Sequence, residues 1–229
     1  MDMKAPISTD AALGRLLARP KPSAEPHAVV PGRQALGLAT RRDGLLRVPE
    51  GAPAGPLPLI LMLHGAGGDA AGTLGLIEQA APGAILLLPE SRGPTWDVIM
   101  GAYGPDVAFL DAALEQVFRQ HRVDPRRVPL AGFSDGASYA LSLAIGNGDL
   151  FTHALAFSPG FAAPPDPVGQ PVIFVSHGTE DDVLPVDRRS RRLVPRLQRA
   201  GYEVRCHEFA GGHYVPAGCA AEAVGMVVG

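Results

Sequence analysis

Short, nearly unbroken apolar runs recur along the chain. They lie at residues 57–65 (LPLILMLHG), 84–89 (AILLLP), 128–133 (VPLAGF), 153–158 (HALAFS), 171–178 (PVIFVSHG) and 203–209 (EVRCHEF). Runs of this length predict strands covered on both faces of a sheet. Between them, segments with helical spacing fall at residues 70–80, 105–121, 135–145, 186–200 and 217–228. Pro195 should kink or break the fourth of these. Ahead of the series, QALGLA (34–39) and LLRVP (45–49) flank the turn signal RRDG (41–44), which predicts an antiparallel hairpin. Strand and helix then alternate, so the expected fold class is α/β, a mostly parallel doubly wound sheet with antiparallel N-terminal strands. In open sheets of this kind, sites form beyond the carboxyl ends of the strands.

The first 31 residues carry no such pattern. They are Pro-rich, with a short amphipathic helix expected over residues 10–18 and a linker, PKPSAEP, after it. This stretch reads as a flexible arm, a frayed tail rather than a cover over a substrate. Residues 32–229 read as one domain without internal repeats. The loop at 159–170 is too short for a cap domain, so an open, shallow site is expected.

Composition narrows the classes. Hydrophobic residues make up 46% of the 229 and charged residues 19%, with a formal net charge of −3. That is the range of soluble globular proteins and lacks the basic excess of a nucleic-acid binder. No apolar run reaches the roughly 18 residues of a membrane span, and the N-terminus has no hydrophobic leader core, so a cytoplasmic location is expected. Cys206 and Cys219 are expected to be separate reduced thiols. The arginine-rich run at 187–199, DRRSRRLVPRLQR, reads as a solvated helix face rather than a surface that guides anions or a partner. No group of His, Cys and Asp has metal-ligand spacing, and no cofactor is expected.

One motif sits where chemistry is expected. GFSDG (132–136) closes an apolar strand and opens a helical stretch, the setting that turns Gly-x-Ser-x-Gly into a nucleophile elbow at Ser134. Serine near neutral pH needs a base, and the base needs a group that orients it. In this fold the chain order is serine, acid, histidine. SHGTEDDVLP (176–185) offers Glu180, Asp181 and Asp182 as acids, and GGHYVP (211–216) offers His213 as base, while His177 is expected to organise the acid loop. Attack on an acyl carbon also needs N–H donors for the developing oxyanion. HGAGGD (64–69) supplies a glycine-rich turn after a strand, so Ala66 N–H is one expected donor and Asp135 N–H, directly after the nucleophile, the other. HGAGGD matches neither the Walker pattern nor the full dinucleotide spacing.

LHGAGGD, GFSDG, HGTEDDVLP and GGHYVP, in this order, resemble the small α/β-hydrolase esterases of the phospholipase/carboxylesterase family. The stretch from Asp106 to Gly136 is also similar to feruloyl-esterase and polyhydroxybutyrate-depolymerase-like proteins. The resemblance covers about Leu57 to Pro216. It implies the α/β-hydrolase fold with residues 32–229 as the catalytic domain, the triad Ser134, Asp181 and His213, and the oxyanion donors Ala66 and Asp135. Asp181 is preferred because His-Gly-x-x-Asp-x-Val matches the usual acid loop. The expected activity is hydrolysis of a small-molecule carboxylic ester through an acyl-enzyme. A thioesterase, lysophospholipase or serine peptidase would share the triad, and a non-catalytic binder would usually lack one of its members. Asp135 departs from the Gln or Asn often found there, and its carboxylate should disfavour anionic acyl groups. Trp96, Tyr103, Phe161, Leu184 and Tyr214 are the candidate pocket residues, Trp96 foremost. A homodimer is an assembly the reading leaves open.

Overall fold

The computed structural model describes residues 8–20, 30–51 and 55–228. The start of the arm and most of the PKPSAEP linker lie outside the described residues. Among the described residues, eight strands form one sheet: β1 (Gly32–Ala35), β2 (Gly44–Val48), β3 (Leu59–Leu63), β4 (Ile85–Pro89), β5 (Pro129–Phe133), β6 (His153–Phe157), β7 (Val172–Gly178) and β8 (Val204–Phe209). Their order is β1-β2-β4-β3-β5-β6-β7-β8. β1 and β2 pair antiparallel, and β2 runs antiparallel to β4. Every pair from β4 to β8 is parallel.

The side chains of each central strand alternate between two apolar layers, as a period of two requires. Leu59, Leu61 and Leu63 of β3 face one layer, with α3 (Pro105–Gln120), α4 (Asp135–Gly146) and α5 (Ser190–Arg199) packed over it. Ile60 and Met62 face the other, under α2 (Ala70–Ile77) and α6 (Ala217–Val228). This double covering is why the strands read as unbroken apolar runs. β8 differs from that expectation. It is the edge strand, its middle residues Arg205, Cys206, His207 and Glu208 are exposed, and its polar composition suits one open side.

Three local features also differ from the sequence reading. A 3-10 turn at Asp97–Met100 precedes α3. The helical stretch at 186–200 breaks at Arg189, between a 3-10 turn (Val186–Arg188) and α5, while Pro195 is held inside α5. The break turns Ser190 inward, where its hydroxyl meets His177.

The third is the arm. Its helix, α1 (Thr9–Ala12), is shorter than expected, but residues 8–20 are not a frayed tail. Leu16 is fully buried, and its N–H donates to Asn147 Oδ1. Arg15 pairs with Asp149 at 3.0 Å and donates to the Gly146 carbonyl. The N–H groups of Leu17 and Ala18 both donate to Asp111 on α3. The crossover from β6 to β7 carries no helix, and Gly14 lies against its Pro165. Both cysteines are free thiols. No helix among the described residues is long and apolar enough to cross a membrane.

Candidate active site

The site is built around a strand that stops abruptly. β5 ends at Phe133, and Ser134 takes φ 57 and ψ −119, a left-handed backbone unusual for a residue with a Cβ. The neighbours allow this tight turn only because they are glycines. A Cβ on Gly132 would stand 2.2 Å from the Gly136 carbonyl oxygen. One on Gly136 would stand 2.4 Å from the carbonyl oxygens of Leu63 and His64. Strand β5, helix α4 and the end of β3 therefore meet at backbone contact. Ser134 N–H continues the sheet ladder to Phe157 at 2.9 Å, and its hydroxyl is left to point outward at the head of α4.

His213 reaches that hydroxyl from the loop after β8. Its Nε2 lies 2.9 Å from Ser134 Oγ and its Nδ1 lies 2.6 Å from Asp181 Oδ2. A carboxylate accepts only, so Nδ1 carries the proton and Nε2 is free to accept from the serine. The Phe133 ring packs 4.8 Å from the imidazole, centre to centre. Glycines again set the distance. A Cβ on Gly178, at the end of β7, would lie 2.3 Å from the carbonyl oxygens of Gly211 and Gly212.

Asp181 is buried after β7, and each of its oxygens is occupied. Oδ1 accepts from the N–H groups of Val183 at 3.0 Å and Leu184 at 2.7 Å. Oδ2 faces His213, and His177 Nε2 stands 3.3 Å away. Burial alone would raise this acid, but the hydrogen bonds from His213 and Leu184 hold it below the usual carboxylate range. His177 is fully buried, donates Nε2–H to the Leu184 carbonyl at 2.6 Å and accepts at Nδ1 from Ser190. Burial pushes its pKa down, so it braces the acid loop as a neutral ring. Asp182 and Glu180, the competing acids, are exposed and have no hydrogen-bonded side-chain partner among the described residues.

The HGAGGD turn crosses in front of Ser134, with the Gly65 Cβ position 3.3 Å from the serine Cβ. Neither Ala66 N–H nor Asp135 N–H has a hydrogen-bond acceptor among the described residues. Two free donors at the mouth of the elbow, one at a helix N-terminus, suit a developing negative charge. The turn is pinned from behind. Buried His64 donates Nδ1–H to the Gly65 carbonyl at 2.6 Å and accepts Ser91 N–H at Nε2, 2.9 Å away. Gly67 N–H donates to the Pro94 carbonyl at 2.8 Å.

The pocket candidates separate. Trp96 does not line an opening: it is fully buried, stacks on Tyr139 and donates Nε1–H to the His64 carbonyl at 2.8 Å. Its loop folds inward because the indole N–H finds that acceptor beneath the HGAGGD turn. Tyr103 also packs rather than lines, its hydroxyl donating to the Ala163 carbonyl at 2.8 Å. Tyr214 is 49% exposed and meets Phe209 edge to face. Phe161 lines a cavity beside α5, and Leu184 flanks Gly160 at its rim. The sequence reading missed Thr95, whose hydroxyl donates to Asp135 Oδ2 at 2.7 Å, and Ser190 behind His177. Neither carries a motif; only the packing of loops from different strands brings them in.

A mostly parallel sheet of this order, with a serine at the strand–helix elbow and a histidine beyond the last strand, is the architecture of the α/β-hydrolases, and this chain has that fold. Among solved structures it is similar to esterase PE8, with a TM-score of 0.62 and 24% identity over 80% of this chain and 96% of that one. It is also similar to the fluorophosphonate-binding serine hydrolase F of Staphylococcus aureus, with a TM-score of 0.69 and 14% identity over 87% and 100% of the two chains. In sequence it is 31% identical over 157 residues to feruloyl esterase C of Emericella nidulans. That match covers 64% of this chain and 57% of the relative, so the chain spans little more than half the length of the protein it matches. No family model matches the chain.

Proposed function

We propose that the protein is a serine hydrolase of small carboxylic esters, with residues 32–229 as its catalytic domain. The observation that carries this reading is the unbroken chain from Ser134 Oγ through His213 to Asp181. His213 Nε2 takes the hydroxyl proton as Ser134 attacks the acyl carbon. The imidazolium that forms faces the Asp181 carboxylate, while the N–H groups of Ala66 and Asp135 receive the oxyanion. His213 then protonates the departing alcohol, and water, deprotonated by the same imidazole, releases the acid from Ser134. The likeness to feruloyl esterase C and esterase PE8 supports ester chemistry. A thioester would react along the same path. The reading includes a cytoplasmic location and action as a monomer or homodimer.

Ser134→Ala tests it. Hydrolysis of 4-nitrophenyl acetate should fall by at least about 1,000-fold, and covalent labelling by a fluorophosphonate should disappear. Circular dichroism should be unchanged, since a methyl fits where the serine Cβ already lies. Retained turnover in that variant would end the assignment.

A further inference from the structure

The reading above leaves the substrate class open, and the arginine-rich helix narrows it. The arginines of this segment divide by face. Arg191 turns toward the sheet edge, where it pairs with Glu208 at 2.6 Å and Asp187 at 2.7 Å. Arg189, Arg192 and Arg196 recur every three or four residues from the start of α5, and with Arg188 of the preceding 3-10 turn they line a single cavity of about 280 Å³ together with Gly160 and Phe161. None of these four forms an ion pair with a carboxylate among the described residues. Arg189 donates weakly to the Gly160 carbonyl at 3.4 Å, and its buried Nε has no hydrogen-bond partner among the described residues. Four cations around one concavity repel one another and are tolerated best when an anion sits between them.

The cavity adjoins the proposed active site. Gly160 N–H donates to Ser138 Oγ at 2.9 Å, and Ser138, one helical turn past Ser134, donates on to the Ser134 carbonyl at 3.3 Å. Leu184, whose N–H holds Asp181, flanks the same glycine. The β6–β7 crossover carries no helix, and its loop residues Gly160 and Phe161 line this cavity instead. On the other side of Ser134 in the strand order, toward β4, stands the Asp135 carboxylate with Thr95. The two flanks of the nucleophile therefore carry opposite charge.

We propose that this cavity is a substrate subsite for an oxyanionic substituent, a carboxylate or phosphate, held by Arg188, Arg189, Arg192 and Arg196 while the ester lies at Ser134. The inference rests on the serine-esterase reading and names the substrate class of that site. The guanidinium fork matches the two oxygens of a carboxylate or phosphate, and Phe161 offers an apolar wall for the linking atoms.

The test compares esters that differ in charge. In the leaving-group arm, 4-acetoxybenzoate and 4-acetoxyphenyl phosphate are each set against neutral 4-acetoxybenzamide. In the acyl arm, monomethyl adipate is set against methyl adipamate. The wild type should favour an anionic member by about tenfold or more in kcat/KM in at least one arm. The leaving-group pairs tell carboxylate from phosphate. In the Arg192→Gln/Arg196→Gln double variant that ratio should collapse toward one, and in wild type it should shrink as salt rises. Arg199→Gln, outside the cavity, should leave the ratio unchanged. Equal or better turnover of the neutral esters in both arms would overturn the proposal, as would a preference that survives the double variant. So would the absence of any preference in a protein that instead sediments with phosphatidylserine vesicles through Arg192. Failure to turn over any of the esters, neutral ones included, would overturn the esterase reading itself.

Discussion

Asp181 carries a different partner on each oxygen, which makes it the most informative single position. Oδ1 closes the acid loop through two backbone N–H groups, and Oδ2 fixes the ring of His213. In Asp181→Asn the carbonyl oxygen can keep the loop bonds, but the amide then turns a donor toward a donor. His213 must rotate or shift its proton to the nitrogen that faces Ser134, where it can no longer act as base. The expected result is a fall of about 10³–10⁴-fold in kcat with 4-nitrophenyl acetate. Asp182→Asn, in an exposed side chain one residue away, should leave kcat within about threefold of wild type. The reverse ranking would transfer the acid role. The His-Gly-x-x-Asp-x-Val spacing favoured Asp181 over Glu180 and Asp182, and Asp181 is the buried, hydrogen-bonded member of the three.

At the scale of elements, the junction between β4 and α3 holds two acids that face each other. Asp106 accepts from the N–H groups of Arg92 at 2.5 Å and Asp97 at 2.7 Å, while Asp97 accepts from Gly104 and Asp106. Burial raises both above the usual carboxylate range, Asp106 to about 6. The folded state therefore holds a proton on Asp106 more tightly than the unfolded chain does. This contribution to stability grows as pH falls from about 6 toward 4 and is absent above that window. Asp106→Asn cannot gain in this way. Urea midpoints measured across the window should shift in favour of the wild type as pH drops, and parallel midpoints would contradict the buried acid. The 3-10 turn that Asp97 opens had no periodicity to reveal it. It exists because these two side chains cap each other's backbone across a loop.

At the scale of the whole molecule, residues 8–20 join the core rather than trailing from it. Leu16 is fully buried in the layer beneath α3 and α4, and the segment meets the helix-free β6–β7 crossover. Leu16→Ala should cost about 2–4 kcal/mol, measured by equilibrium urea denaturation. A loss below about 0.5 kcal/mol would show that the segment detaches freely. Composition pointed the other way, because proline-rich, weakly patterned chain usually frays. What holds it are acceptors supplied from afar, Asp111 and Asn147.

The apolar runs and helical spacings by themselves determined the sheet, its antiparallel start and the places where loops would carry chemistry. Burial on two faces forces that pattern, and the pattern is local. The elbow at Ser134 was equally legible, since strand, helix and two glycines at contact distance leave few other sequences. Tertiary structure alone decided which acid is buried, that Trp96 supports the HGAGGD turn instead of lining a pocket, and that four arginines share one cavity. Each of those outcomes depends on atoms brought together from separate strand ends, a distance that no spacing along the chain encodes.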